Sequence, residues 1–380
     1  PARLELSAMG AVRPPAAGAL EAAARRETQG FDAVWWADHF LHWFPSSIWT
    51  PDLVPQAVTG SNPHVWFDPF AVIAAAAGVT DTVKLGVGVT DLVRRHPAVL
   101  AQTALTLDHL TRGRFLLGVG SGESLNLEPV GLDNERPLAR LTEGLSVIRN
   151  LFDTPEPIDF DGEFTTLREM TLGLRPYGAQ PPPIWVAAHR PRGLALAGRT
   201  ADGWIPLATD PGTYAGMRTK VMNAAAAAGR PEGSVTAGLY ARVVLAQDRE
   251  GAERAIDQSL LMRFIALTRP AEAYADRGAE HPLGSGAFGL TSFLPTRYAR
   301  EQALALAAQV PRDVVRDTVI YGTPDEVATA VQAFVEAGAQ HVQLTNMTPL
   351  AAPDRAAESE ALLGDVVATL RANNPAKELS

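Results

Sequence analysis

The chain has 380 residues, of which 46% are hydrophobic and 20% charged, an ordinary globular composition that excludes disorder, low-complexity linkers and collagen-like repeats. It has no cysteine, so a disulfide scaffold, a thiolate metal site and a cysteine nucleophile are all excluded. A net charge of −9 argues against nucleic acid or an anionic membrane as partner, because binding a phosphate backbone requires a positive surface.

In chain order, short β-rich runs alternate with longer Ala- and Leu-rich helical stretches. The opening residues lack the basic region and apolar core of a signal peptide, which makes the cytoplasm the expected location. The first strand is predicted at Arg3–Ser7, followed by a helix at Ala16–Gln29. The second, Ala33–Ala37, runs into Asp38 and His39, so an acid and an imidazole leave its carboxyl end. Neighbouring residues on a strand face opposite ways, and the two share a site only if the chain turns there. A satisfied structural histidine beside a helix-capping aspartate is the plainer alternative.

The segment 40–67 is rich in proline, serine and aromatics, and its Trp43, Phe44, Trp49, Trp66 and Phe67 form either an apolar lid or the glue of an insertion. After a helix at Phe70–Ala77, whose apolar run is too short to span a bilayer, the strand Val83–Val89 contains Gly86 and Gly88. Glycine inside a strand points to a bulge, a close ligand or relief of crowding. A helix at Ala98–Leu110 leads to the strand Phe115–Val119 and then to Gly118-Val119-Gly120-Ser121-Gly122-Glu123. That run fails the dinucleotide fingerprint, since position 123 is Glu, and lacks the Gly-Lys-Ser/Thr of a P-loop. What remains is a carboxyl group on a glycine turn: a proton donor with a raised pKa if buried, a solvated loop acid if not.

Beyond a helix at Leu138–Leu151, strands are predicted at Ile184–Ala188, Gly203–Pro206, Val235–Ala246 and Val342–Asn346. The helices between and after them are Ala195–Ala201, Thr213–Ala228, Arg249–Leu267, Pro324–Ala337 and Ala356–Leu370. Eight β-then-α units imply a single (β/α)₈ TIM barrel of the α/β class over residues 1–380, with insertions at about 40–67 and 269–318, after the second and seventh strands. A doubly wound open sheet is the runner-up. Arg94, Arg95, Arg112, Arg114, Arg190 and Arg192 form a notable basic set in an acidic chain, and no histidine spacing suggests a metal.

The runs FDAVWWADHF, VKLGVGVTD, RRHPAVLAQTALTLDHLTRGRFLLGVGSGES, IWVAAHRPRGLALAGRTADGW and TPDEVATAVQAFVEAGAQHVQLTN resemble the luciferase-like (β/α)₈ superfamily across nearly the whole chain. The Asp-His after the second strand and the run Gly118–Asn126 resemble the branch that uses the deazaflavin coenzyme F420. The stretches around Arg94-Arg95, Ala187-Ala188-His189 and Glu280-His281-Pro282 are most similar to the phthiodiolone dimycocerosate ketoreductases and their actinobacterial relatives.

The resemblance implies an F420-dependent oxidoreductase, a ketoreductase or alcohol dehydrogenase passing hydride between C5 of the deazaflavin and the carbonyl carbon of a largely apolar substrate, and a homodimer. It implies catalytic roles for His39 in proton transfer, Glu123 beside the ring and Trp43 over the site. The cofactor would meet Asp38, Gly88, Val89, Thr90, Ser121, Asn126, Ala187, Ala188 and His189, with a cis Gly88–Val89 peptide behind the ring and a polyglutamate tail over the arginines. An ordinary His39 pKa near 6.5 would suit transfer in both directions.

Two departures stand out. The stretch WIPLATDPG lacks the Lys with which F420-dependent glucose-6-phosphate dehydrogenases hold a sugar phosphate, and His189-Arg190 replaces their Gly-Gly. The alternatives are an FMN-dependent luciferase-like monooxygenase, which would activate oxygen where deazaflavin carries only hydride, and a deazaflavin-binding protein without turnover.

Overall fold

The computed structural model describes residues 3–375. Eleven strands form in chain order: β1 Glu5–Met9, β2 Ala33–Trp36, β3 Lys84–Asp91, β4 Phe115–Gly120, β5 Ile158–Asp161, β6 Thr166–Met170, β7 Ile184–Val186, β8 Gly203–Trp204, β9 Thr236–Leu245, β10 Ile320–Gly322 and β11 His341–Asn346. Eight of them pair in parallel in the order β1-β2-β3-β4-β7-β8-β9-β11, and β11 closes the ring onto β1. This is the expected (β/α)₈ barrel, and all eight predicted strands are its staves. Loops after the strands therefore share one rim, where sites are built in this architecture.

Bulky indoles fill the barrel because glycines face them. Trp35 and Trp185 meet edge to face, with centroids 5.5 Å apart. A Cβ at Gly86 would lie 2.5 Å from Trp35, and one at Gly203 only 2.2 Å from Trp185. Relief of crowding thus accounts for Gly86. Gly203→Ala is expected to destabilise the fold by about 1–3 kcal/mol through overpacking, readable as a lower denaturation midpoint with an unchanged slope. Below the indoles, the Trp35 indole N–H donates to His341 Nε2 (3.1 Å), which leaves His341 Nδ1 to donate to Glu5 (3.0 Å). Ser7 also lies 2.8 Å from His341 Nε2, but Ser7 and His341 are fully buried, so this Ser-His-Glu set is structural.

The structure differs from the expected elements in four places. An antiparallel hairpin, β5–β6, precedes β7 where none was predicted. β10 adds a ninth strand beside the upper part of β9. The helix expected over 249–267 breaks at Ser259, whose extended backbone and hydroxyl, accepting from the Met262 N–H, start a new helix at Leu260. Segment 269–318 consequently follows two helices rather than a strand, although it still reaches the rim, where the Ser124 hydroxyl donates to the Thr291 carbonyl (2.9 Å).

Segments 40–67 and 269–318 pack on each other. Phe44, Ile48, Trp49 and Val54 join Phe264, Phe293 and Leu306 in a hydrophobic cluster separate from the main core. Among the described residues, no helix is long and apolar enough to cross a membrane.

Candidate active site

Asp38 and His39 follow β2 and turn toward different partners. The buried Asp38 carboxylate accepts from the Thr90 hydroxyl (2.6 Å) and Arg95 Nε (3.0 Å) and pairs with Arg94 (3.3 Å). Arg94 is also bonded to Asp91 (2.5 Å), which in turn accepts from the Val93 and Arg94 N–H groups. Burial pushes the Asp38 carboxyl up, but hydrogen bonding and charge from Arg95 and Arg94 outweigh it and hold the group below its ordinary value. Asp38 thus clamps the loop after β3 to the loop after β2. It is not a helix cap; Asp68 caps the helix Pro69–Ala76.

His39 is oriented by the loop after β4. Gly122 adopts φ +86°, a left-handed turn open to glycine, and releases Glu123 into a short helix, Ser124–Leu127. Asn126 lies one turn further on the same helix. Its side-chain carbonyl accepts from the Phe40 N–H (2.9 Å), which leaves its amide nitrogen facing His39 Nδ1 (2.9 Å). An amide nitrogen only donates, so Nδ1 accepts and the imidazole proton sits on Nε2. Among the described residues no group is hydrogen-bonded to Nε2, and the side chain keeps 10% exposure.

Burial, with the positive charge of Arg94, lowers the His39 pKa to about 4, in spite of Asp38 and Asn126. This corrects the value near 6.5 expected from the residue type: His39 is a neutral Nε2–H donor at pH 7. Glu123 Oε2 stands 3.9 Å from His39 Nδ1, which is no ion pair with the ring neutral. That oxygen is buried without a hydrogen-bond partner. The side chain as a whole keeps 27% exposure, yet burial lifts its pKa to about 7, against the pull of Arg242 and Arg94. The solvated-acid alternative is thereby set aside.

Aromatics flank the imidazole. Trp43 and Trp66 lie 5.1 and 5.0 Å from the His39 ring, whereas Phe44 and Trp49 belong to the interior of the insertion. Of the five aromatics expected in a lid, two flank the imidazole and two are glue.

The Gly88–Val89 peptide is cis, and the pairing of β3 with β4 shifts register between Val87 and Thr90, leaving Gly88 and Val89 outside the ladder. Just after β4 and β7, Ser121 is exposed, the Ala187 N–H is held by Val119, the Ala188 carbonyl accepts from the Trp204 indole (2.9 Å), and His189 Nε2 accepts from the Leu207 N–H (2.9 Å). Beyond Ala188, the helix Pro191–Thr200 starts without a side-chain cap, so its first N–H groups remain open to an anion.

The expected arginine patch does not form. Arg94 and Arg95 serve Asp38, Arg112 and Arg114 sit before β4 at the opposite end of the barrel, and Arg190 pairs with Glu272. Only Arg192, with Arg199, faces an open cleft beside that helix. Sequence reading missed three residues of the far rim: Arg242 on β9, and Gln343 and Thr345 on β11. All three are buried. A lone Arg and a Thr within apolar strands were the available signal.

The comparisons with known proteins agree with this fold. A family model described as luciferase-like monooxygenase matches residues 2–341. The chain is 36% identical over 337 residues, 88% of each protein, to a phthiodiolone/phenolphthiodiolone dimycocerosates ketoreductase of Mycobacterium tuberculosis. It is 32% identical over 84% of each chain to an F420-dependent glucose-6-phosphate dehydrogenase of Kineococcus radiotolerans. In fold it resembles an F420-dependent secondary alcohol dehydrogenase solved with an F420-acetone adduct, with a TM-score of 0.75, 23% identity and coverage of 97% and 99% of the two chains.

Proposed function

The chain belongs to the luciferase-like monooxygenase family, and from that premise we propose that it is an F420-dependent oxidoreductase reducing a ketone or oxidising the matching alcohol. The observation that carries this reading is the neutral, Asn126-fixed His39 beside a buried carboxyl oxygen that no protein group satisfies. The relatives support it twice over: one acts as a ketoreductase and the other depends on F420.

The residues fit such a cofactor. The unpaired backbone of Gly88-Val89, the free Glu123 Oε2 and the uncapped helix start after Ala188 lie on the rim of β3, β4 and β7, three neighbouring strands. Gly88 and Val89 would back the ring, with Thr90 fixed by Asp38. Ser121 and Ala187–His189 would line its edge, and the open N–H groups would take its phosphate. Its acidic tail would leave past Arg192 and Arg199. When bound, F420 supplies a hydride from C5 of its reduced ring.

The chain's own groups manage the proton. His39 Nε2–H donates to the substrate carbonyl oxygen, so negative charge developing there meets a hydrogen bond. Glu123, half protonated near pH 7, holds the proton that accompanies the hydride, 3.9 Å from the imidazole. With a hydride supplied to the carbonyl carbon, the oxygen would take the Nε2 proton of His39 and Glu123 would return one to the imidazole, so ketone becomes alcohol by one hydride and one proton and Glu123 is left ionised. Trp43 and Trp66 keep water away.

A pH profile tests this assignment. The Glu123 pKa is raised, so the carboxyl holds its proton below about pH 7 and loses it above. Ketone reduction is expected to fall as pH rises through about 7, while alcohol oxidation rises. Glu123→Gln should slow reduction and remove that limb with cofactor affinity nearly kept. A limb that persists in the variant would reassign the proton to another group.

A further inference from the structure

Across the rim from Glu123, β9 and β11 carry a cluster whose requirements the protein itself does not meet. Arg242 is only 5% exposed, its Nη1 has no hydrogen-bond partner, and no carboxylate among the described residues forms an ion pair with it. Its guanidinium packs over the rings of Trp43 (5.9 Å) and Tyr240 (5.7 Å). The register places Thr345 beside Arg242 and Gln343 beside Tyr240, on the same face of the barrel. Gln343 Nε2, Thr345 Oγ1 and Trp43 Nε1 are also buried and unpartnered.

The cluster is rich in donors. Guanidinium, amide and indole N–H groups only donate, and a carboxylate, an acceptor with about four lone-pair directions, is the group that answers them. A buried guanidinium without a counter-charge is costly to keep, and proteins otherwise pair it. Here Glu123, the acid on which Arg242 exerts a charge effect, keeps a raised pKa and forms no pair with it. Trp43 touches both the His39 ring and Arg242, so a group held by Arg242 lies one indole away from the reacting carbonyl.

We propose that Arg242, with Gln343, Thr345 and Trp43, binds the carboxylate of a short-spaced oxo acid, which makes the substrate an oxo carboxylate rather than a neutral ketone. This rests on the carbonyl chemistry proposed above and adds the headgroup that chemistry leaves open.

Calorimetric titration of the purified protein, with and without F420, tests it using levulinate and its methyl ester. The wild type is expected to prefer the acid by about tenfold or more, and Arg242→Met to weaken acid binding on the order of 10–100-fold with ester binding unchanged. Arg242→Lys should restore part of the preference. Because the charge is unpaired in the protein alone, Arg242→Met should also be at least as resistant to denaturant as the wild type.

Equal affinity for acid and ester, retained acid binding in Arg242→Met, or a variant less stable than the wild type would overturn the proposal. So would a variant that loses only F420 affinity, which would make a cofactor oxygen the partner of Arg242. Binding is read without turnover: if no carbonyl compound oxidises reduced F420, the oxidoreductase reading fails while the carboxylate preference stands or falls by itself.

Discussion

His39→Ala should lose at least about a hundredfold in ketone-reduction turnover while binding F420 within a few-fold of the wild type, because removing a positioned acid–base group typically costs 10²–10⁴ in rate. Cofactor affinity is expected to hold because the ring and phosphate would rest on the Gly88-Val89 backbone and the uncapped helix, whereas His39 is held by Asn126 and two indoles. The imidazole titrates near pH 4, so no second limb from it should appear between pH 5 and 8. Stopped-flow reduction of a ketone at saturating cofactor reads both effects. Near-normal turnover in the variant would make His39 a structural histidine after all.

Asp38→Ala is expected to cost about 3 kcal/mol of folding stability, at the lower end of what breaking a buried ion pair costs, since Arg94 keeps Asp91 and Arg95 keeps Asp68. The clamp between the two loops is lost with it, so activity should fall too. Sign follows from the carboxyl's lowered pKa. Its contribution is complete at pH values above the ordinary 3.8 and disappears as pH falls through the lower folded-state value. Denaturant curves for wild type and variant should therefore lie apart at pH 7 and draw together in strong acid. A variant as stable as the wild type at pH 7 would show that Asp38 holds nothing.

The barrel was legible in the sequence because its staves are runs such as Phe115–Val119 that are apolar on both faces, each followed by a helical stretch. β10, three residues long, carries too little pattern to be seen, and the hairpin β5–β6 went unread although Asp161-Gly162 lies between its two short runs. In the site, Glu123 was legible as an acid on a glycine turn, while Asn126 came only from the family resemblance; the one caps and the other lies within the short helix Ser124–Leu127. That Asp38 turns away from His39 was not legible, because its partners Thr90, Arg94 and Arg95 come from the end of β3 and the loop after it, more than fifty residues later. Arg242 was hidden for the opposite reason: its significance is the absence of any partner, which only packing reveals.

The measurement closest to the central claim is the anaerobic oxidation of reduced F420 by an oxo acid, followed by the return of the oxidised deazaflavin absorbance, with reduced FMN as the parallel reaction. The account predicts stoichiometric, ketone-dependent oxidation of F420 with no need for oxygen, and no comparable turnover with FMN. Oxygen-dependent substrate oxidation with reduced FMN, and none with F420, would contradict it.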